Sequence, residues 1–206
     1  MRMICSSLAI LFLASLPLSA GEVNAPEGWT FQSPREEIQP ASQYLPTGGP
    51  NGQGSFVIEA DQREGLMGFW QKQIPVEPDQ YYQFTVLRKT SELELARRTL
   101  PARILWRDAA GKSVYHEQPS AASYRPGTRP RSEPEFPADV KVLDNGWTLV
   151  SGTYLTPPAT ATATIELCYR WEPNRRTAGA SSDPITSILA INWPKAGCGL
   201  KFIGHL

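Results

Sequence analysis

Between Ala163 and Trp171 the chain alternates residue by residue: Ile165, Leu167, Tyr169 and Trp171 fall on one side, Glu166, Cys168 and Arg170 on the other. Successive side chains of a strand point to opposite faces, so a period of two means one buried and one wetter face. The same pattern recurs along the chain in short runs. Phe56, Ile58 and Ala60 alternate with Val57 and Glu59; Tyr82, Phe84 and Val86 alternate with Tyr81, Gln83 and Thr85; Ile104 and Trp106 alternate with Arg103 and Arg107. Phe69–Ile74 and Trp147–Leu155 complete the set, and Ser187–Trp193 reads as a last apolar strand. With 19 prolines and 16 glycines punctuating a chain of 206 residues, long helices have little room. Thr90–Arg98 is the one helical candidate, read equally well as a single turn or a loop.

Such strands in one domain predict an all-β fold, two sheets packed face to face as a jelly-roll β-sandwich. A closed barrel of the same strand count is the alternative that spacing leaves open. The expected organisation is a signal peptide over 1–20, an extended lead-in over 21–54 that partly joins the sandwich, a core over 55–173, and a polar loop with an atypical tail over 174–206. The leader reading rests on Arg2, the apolar run Ile4–Leu16 and the small residue Ala20. It implies a secreted or periplasmic protein. The closing PKAGCGLKFIGHL reads as a truncated or frame-shifted end. No segment after the leader is long and apolar enough to predict stable membrane insertion.

Twenty basic residues balance twenty acidic ones, which gives no reason to expect nucleic acid as a partner. Cys168 and Cys198 remain after the leader. In an oxidising compartment their pairing would close a loop of roughly thirty residues and add about 3 kcal/mol; two free thiols are the other reading. Catalytic signals are few. His116 and His205 have no metal-ligand spacing, no nucleophile elbow occurs, and GGPNGQG lacks the spacing and following helix of a phosphate loop. Cys168 as a nucleophile lacks a matched histidine. The carboxylate pairs Glu36–Glu37 and Glu133–Glu135 read as solvated charge.

Aromatic and arginine side chains are the remaining resource. Trp106, Trp147 and Trp171 alternate with aliphatic neighbours and read as core. Trp70, Tyr81 and Tyr124 are the candidates for stacking on a ligand, with Arg125 and Arg129 as donors. The last three lie in SYRPGTRPRSEPEFP, residues 123–137, where Arg131 adds a further guanidinium and four prolines stiffen the chain. Strand runs on both sides make this stretch a loop of the sandwich rather than a linker. Its arginines meet a ligand, a partner domain or their own Glu133 and Glu135.

The order GSFVIEA, YYQFTVLRKT, ARILWRDAAGK, GWTLVSGTYLTP and ATATIEL resembles the N-terminal β-sandwich of secreted planctomycete-type carbon-nitrogen hydrolases. More broadly it is similar to galactose-binding-like jelly rolls, which include carbohydrate-binding modules. The resemblance spans roughly residues 28–173. It implies a non-catalytic module whose partner is a carbohydrate or an amidase- or nitrilase-like hydrolase domain absent from this chain; hydrolysis by this chain itself is the remaining alternative. No cofactor is expected beyond the structural calcium such sandwiches often hold, for which Glu59 and Asp61 offer oxygens; an ion pair of these carboxylates with Arg63 is the competing reading.

Overall fold

The computed structural model describes residues 25–61, 63–91, 93, 95–115, 131–171 and 200–204. It has ten strands and one short helix: β1 (Trp29–Gln32), β2 (Ala41–Leu45), β3 (Ser55–Glu59), β4 (Met67–Pro75), β5 (Tyr81–Arg88), α1 (Ala96–Thr99), β6 (Ala102–Arg107), β7 (Ala138–Val142), β8 (Thr148–Leu155), β9 (Thr162–Arg170) and β10 (Leu200–Gly204). Two four-stranded sheets have the orders β1-β4-β9-β6 and β10-β5-β8-β7, and β2 and β3 form a separate hairpin. All strand pairs are antiparallel. The chain passes from β4 in the first sheet to β5 in the second, back to β6, across to β7 and β8, and returns to β9. This alternation between layers is the jelly-roll order.

One core lies between the sheets. Trp70, Ile74, Ile104, Trp106, Ala163, Ile165 and Leu167 of the first sheet meet Phe84, Val86 and Val150 of the second. The β2–β3 hairpin closes one side by sending Phe56 and Ile58 into that core. There the rings run in series: Trp29 on Phe56 at 4.5 Å, Phe56 on Trp70 at 4.9 Å, and Tyr44 on Phe56 at 5.2 Å between centroids. Tilted pairs at these separations add attraction beyond the area they bury. Close approach is needed beside them, because a Cβ on Gly68 would sit 2.6 Å from the Phe31 ring.

Polar ties hold the strand ends. Thr156 donates its hydroxyl to the Glu77 carbonyl at 2.7 Å and accepts the Gln80 N–H at 3.0 Å, which aligns the turn into β5 with the end of β8. Buried Arg88 donates to the Leu100 carbonyl and pairs with Asp139, joining the segment after α1 to β7. The strand boundaries read from alternation match β6 residue for residue and β5, β8 and β9 to within a residue at either end. The lead-in joins the fold through β1, an edge strand of the first sheet, and β2, which pairs with β3. Two strands have no counterpart in the alternation, β7, which pairs with β8, and β10 in the tail read as atypical, which pairs with β5. Ser187–Trp193 lies outside the described residues.

Candidate functional site

The residues singled out for stacking do not come together. Trp70 is corrected from a platform to a core residue: it is 1% exposed, and its indole N–H donates to the Val57 carbonyl at 3.3 Å. It lies on β4 opposite Leu167, on the face turned to the second sheet, so its ring is covered on both sides. Tyr81 starts β5 opposite Leu155, on the outward face of the second sheet. Tyr82 points inward, packs against the core and accepts the Glu77 N–H through its hydroxyl at 3.0 Å. Tyr124, Arg125 and Arg129 lie outside the described residues, as does Cys198.

The carboxylates proposed for calcium are engaged with protein. Asp61 receives the Arg63 Nε on both oxygens at 3.0 and 2.8 Å and the Arg63 backbone N–H at 2.8 Å. Burial, the largest single influence, raises its pKa, but the backbone and side-chain hydrogen bonds from Arg63 and its charge together outweigh that and lower it. Arg63 also donates to the carbonyls of Glu37 and Gln39, so the cluster clips the segment before β2 to the end of β3. Glu59 accepts from Gln43 across that hairpin. Among the described residues no three carboxylate, histidine or cysteine groups cluster as a metal site. Cys168 is fully buried on β9, and burial pushes its thiol up to about 12. At neutral pH it is a protonated thiol without access to substrate, the opposite of an activated nucleophile.

The segments that flank residues 116–130 meet at one place. Ser113 bridges Arg107 of β6, Tyr115 bridges Arg131, and Glu135 bridges Ile104. Ser132 N–H donates to Val114 O at 2.8 Å. Arg131 donates to the Ser113 carbonyl and lays its guanidinium over the Tyr115 ring, 3.9 Å from the centroid. The segment ending at Tyr115 is thus hydrogen-bonded to the segment beginning at Arg131, at the β6 edge of the first sheet.

That edge belongs to a polar face. Opposite residues of antiparallel neighbours share a face, so the outward side of the first sheet follows from register. Gln71, Glu166 and Arg103 form one row across β4, β9 and β6; Gln73, Thr164 and Leu105 form the next. Phe69 lies beside Cys168, and Arg107 beside Thr162 and Ser113. Tyr115 lies two residues beyond Ser113 on the same side, 44% exposed, with Arg131 over it. Arg103 pairs with Glu166 and stacks 5.9 Å over Phe69. Arg107 donates to the Ser113 hydroxyl at 2.7 Å.

The middle of this face is deeply set. Glu166 is 5% exposed and Thr164 3%, although both point away from the core. A buried charge is costly unless paired, and the Arg103 guanidinium answers Glu166. The Thr164 hydroxyl and the Arg170 Nε are buried with no hydrogen-bond partner. The groups of the face that reach solvent are the amides of Gln71 and Gln73 and the guanidinium groups of Arg103 and Arg107, with the Tyr115 phenol ring at the rim; Thr164 and Glu166 lie buried beneath them. The alternation puts Glu166, Cys168 and Arg170 on the wetter side of their strand; it attaches no role to Glu166 or Arg170, and to Cys168 only a pairing with Cys198 or a nucleophile without a matched histidine. It passed over Gln71, Gln73, Arg103 and Tyr115, because only the pairing of β4, β9, β6 and the 113–115 strand makes them neighbours.

No protein-family model and no curated protein matches the sequence. Among solved structures the chain is similar to the enzymatically active domain of bacteriophage CBA120 tailspike protein 4, with a TM-score of 0.52 and 15% identity over 86% of this chain and 20% of that one. The chain spans about a fifth of the tailspike's length. It is also similar to the CBM22-1 xylan-binding domain of Paenibacillus barcinonensis Xyn10C, with a TM-score of 0.43 and 11% identity over 91% and 93% of the two chains. A CBM4 structure gives 0.40 and 13% identity over 86% of each chain. At such identities the likeness is one of fold, here an all-β one.

Proposed function

We propose that this protein is a non-catalytic, exported glycan-binding module and that the outward face of its first sheet is the binding surface. The observation that carries the reading is the rim pair Tyr115–Arg131 beside the Gln71–Glu166–Arg103 row. Sugars offer hydroxyls that both donate and accept, together with apolar ring faces. Recognition therefore needs a few converging polar groups and an aromatic surface. The face has both, and its polar groups are held by a paired sheet rather than by loops. Tyr115 and Arg131, at its edge, flank residues 116–130 in sequence, and Tyr124, Arg125 and Arg129 are further proposed contacts. The thiol of Cys168, buried and held protonated, supports a binding role over a hydrolytic one.

Affinity electrophoresis against a polysaccharide panel tests the reading. Migration should be retarded by at least one polymer, and Tyr115→Ala and Gln73→Ala should abolish the retardation while leaving the urea midpoint within error of the parent. Folded protein that no polymer retards would count against the proposal.

A second reading, an accessory module seated on a carbon-nitrogen hydrolase, draws on a different surface. Leu155, 48% exposed, lies opposite Tyr81 on the outward side of the second sheet, and Val140, 58% exposed, lies on β7 farther along β8, at the level of Leu149 and Val150. Exposed apolar groups of this kind suit a protein partner. Co-purification with an amidase-like chain, lost in Leu155→Asp, would favour it.

A further inference from the structure

The chain as a whole balances 20 basic against 20 acidic residues, yet the proposed glycan-binding face does not. On the outward positions of β4, β9 and β6 and on the adjoining Ser113–Tyr115 and Arg131 segment lie four guanidinium groups, Arg103, Arg107, Arg131 and Arg170, and one carboxylate, Glu166. Four positive charges less one negative leave a surplus of three. Among the described residues, only Arg103 of these four has an acidic partner. Arg107 is met by a serine hydroxyl, Arg131 by a backbone carbonyl and the Tyr115 ring, and the Arg170 Nε by nothing.

We propose that the ligand of this face is an anionic glycan, bearing carboxylates or sulfates, rather than a neutral one. The proposal rests on the glycan reading above and narrows it. Neutral hydroxyls repay the desolvation of a guanidinium poorly, whereas a carboxylate or sulfate accepts two parallel N–H bonds from its planar fork. Arg131 is held over the Tyr115 ring with one nitrogen donating to the Ser113 carbonyl, so its charge is anchored at the rim without an acidic partner among the described residues. Glu166 has a separate task, since it holds Arg103 in the middle of the face; the unmatched arginines flank it. The nearest carboxylates along the chain to the rim are Glu117, two residues beyond Tyr115, and Glu133, exposed two residues beyond Arg131.

Binding measured by titration calorimetry separates the possibilities. The probes are polygalacturonate, a sulfated galactan, neutral xylan, neutral β-glucan and a polynucleotide, each at low and at physiological salt. The expected result is binding to a uronate or sulfate polymer that weakens several-fold as salt rises, because screening acts on exposed charges. Arg107→Gln and Arg131→Gln should each weaken it about tenfold, with unchanged urea midpoints. Arg107→Gln tests the idea even if Arg131→Gln loosens the base of the loop. Equal, salt-insensitive binding to neutral polymers would overturn the anionic ligand and leave the glycan reading standing. Equal binding to the polynucleotide would reduce the effect to unspecific charge and also overturn it. Binding to none of the polymers would remove the glycan reading, and this proposal with it.

Discussion

Trp70 shows how a single side chain is decided. Its neighbours in sequence, Phe69 and Gln71, both point outward, and only the pairing with Leu167 puts the indole between the sheets. Its replacement by alanine should cost about 3–5 kcal/mol, read as a fall in urea midpoint. A stability change below about 1 kcal/mol would return Trp70 to the surface. Cys168 and Tyr154 make a prediction about pH. Burial pushes the thiol up to about 12 from an ordinary 9.0; burial first, then Glu135, raises the Tyr154 phenol to about 12 from 10.0. Both groups hold their protons more tightly folded than unfolded, so their contribution is fully present below pH 9 and is lost as pH rises towards 12. Urea midpoints should be level between pH 7 and 8.5 and decline above 9. A midpoint that rises over that alkaline range would contradict the burial of both groups.

At the scale of elements, β9 organises the first sheet. It pairs with β4 over nine residues and with β6 over six, and it carries both the inward row Ala163, Ile165, Leu167 and the outward Thr164, Glu166, Cys168. The alternation of this strand was readable in the sequence because β-propensity and period agree there. Its neighbours were not readable, since β4 is separated from it by nearly a hundred residues and register emerges only when the sheet closes. The Arg103–Glu166 pair joins β6 to β9. Breaking it from one side leaves an uncompensated buried charge, so Arg103→Met should cost about 3–5 kcal/mol. The double variant Arg103→Met, Glu166→Leu should recover most of that loss. A double-mutant cycle by urea unfolding reads the coupling directly, and additive losses would mean that the pair is not formed.

For the whole molecule, one core serves both sheets and the β2–β3 hairpin. A sandwich sharing a single core should unfold as one unit. Tryptophan fluorescence, which reports on Trp29, Trp70, Trp106 and Trp147, should lose its native signal at the same urea concentration as the far-ultraviolet circular dichroism. Separate transitions would mean that the two sheets have independent cores. No helix among the described residues is long and apolar enough to cross a membrane.

The all-β class was present in the sequence at Ala163–Trp171 and in each run like it, because a period of two is a local property of a chain whose side chains alternate between faces. Which aromatics face solvent was not. Tyr81 and Tyr82 are adjacent and identical, and Trp70 and Tyr115 each have polar neighbours. Their opposite fates follow from which strand closes over each of them. The arginine surplus on one face has the same origin: Arg103, Arg107, Arg131 and Arg170 are scattered over nearly seventy positions of a charge-balanced chain. Antiparallel pairing of β6 with β9 on one side and with the 113–115 strand on the other brings them to one surface.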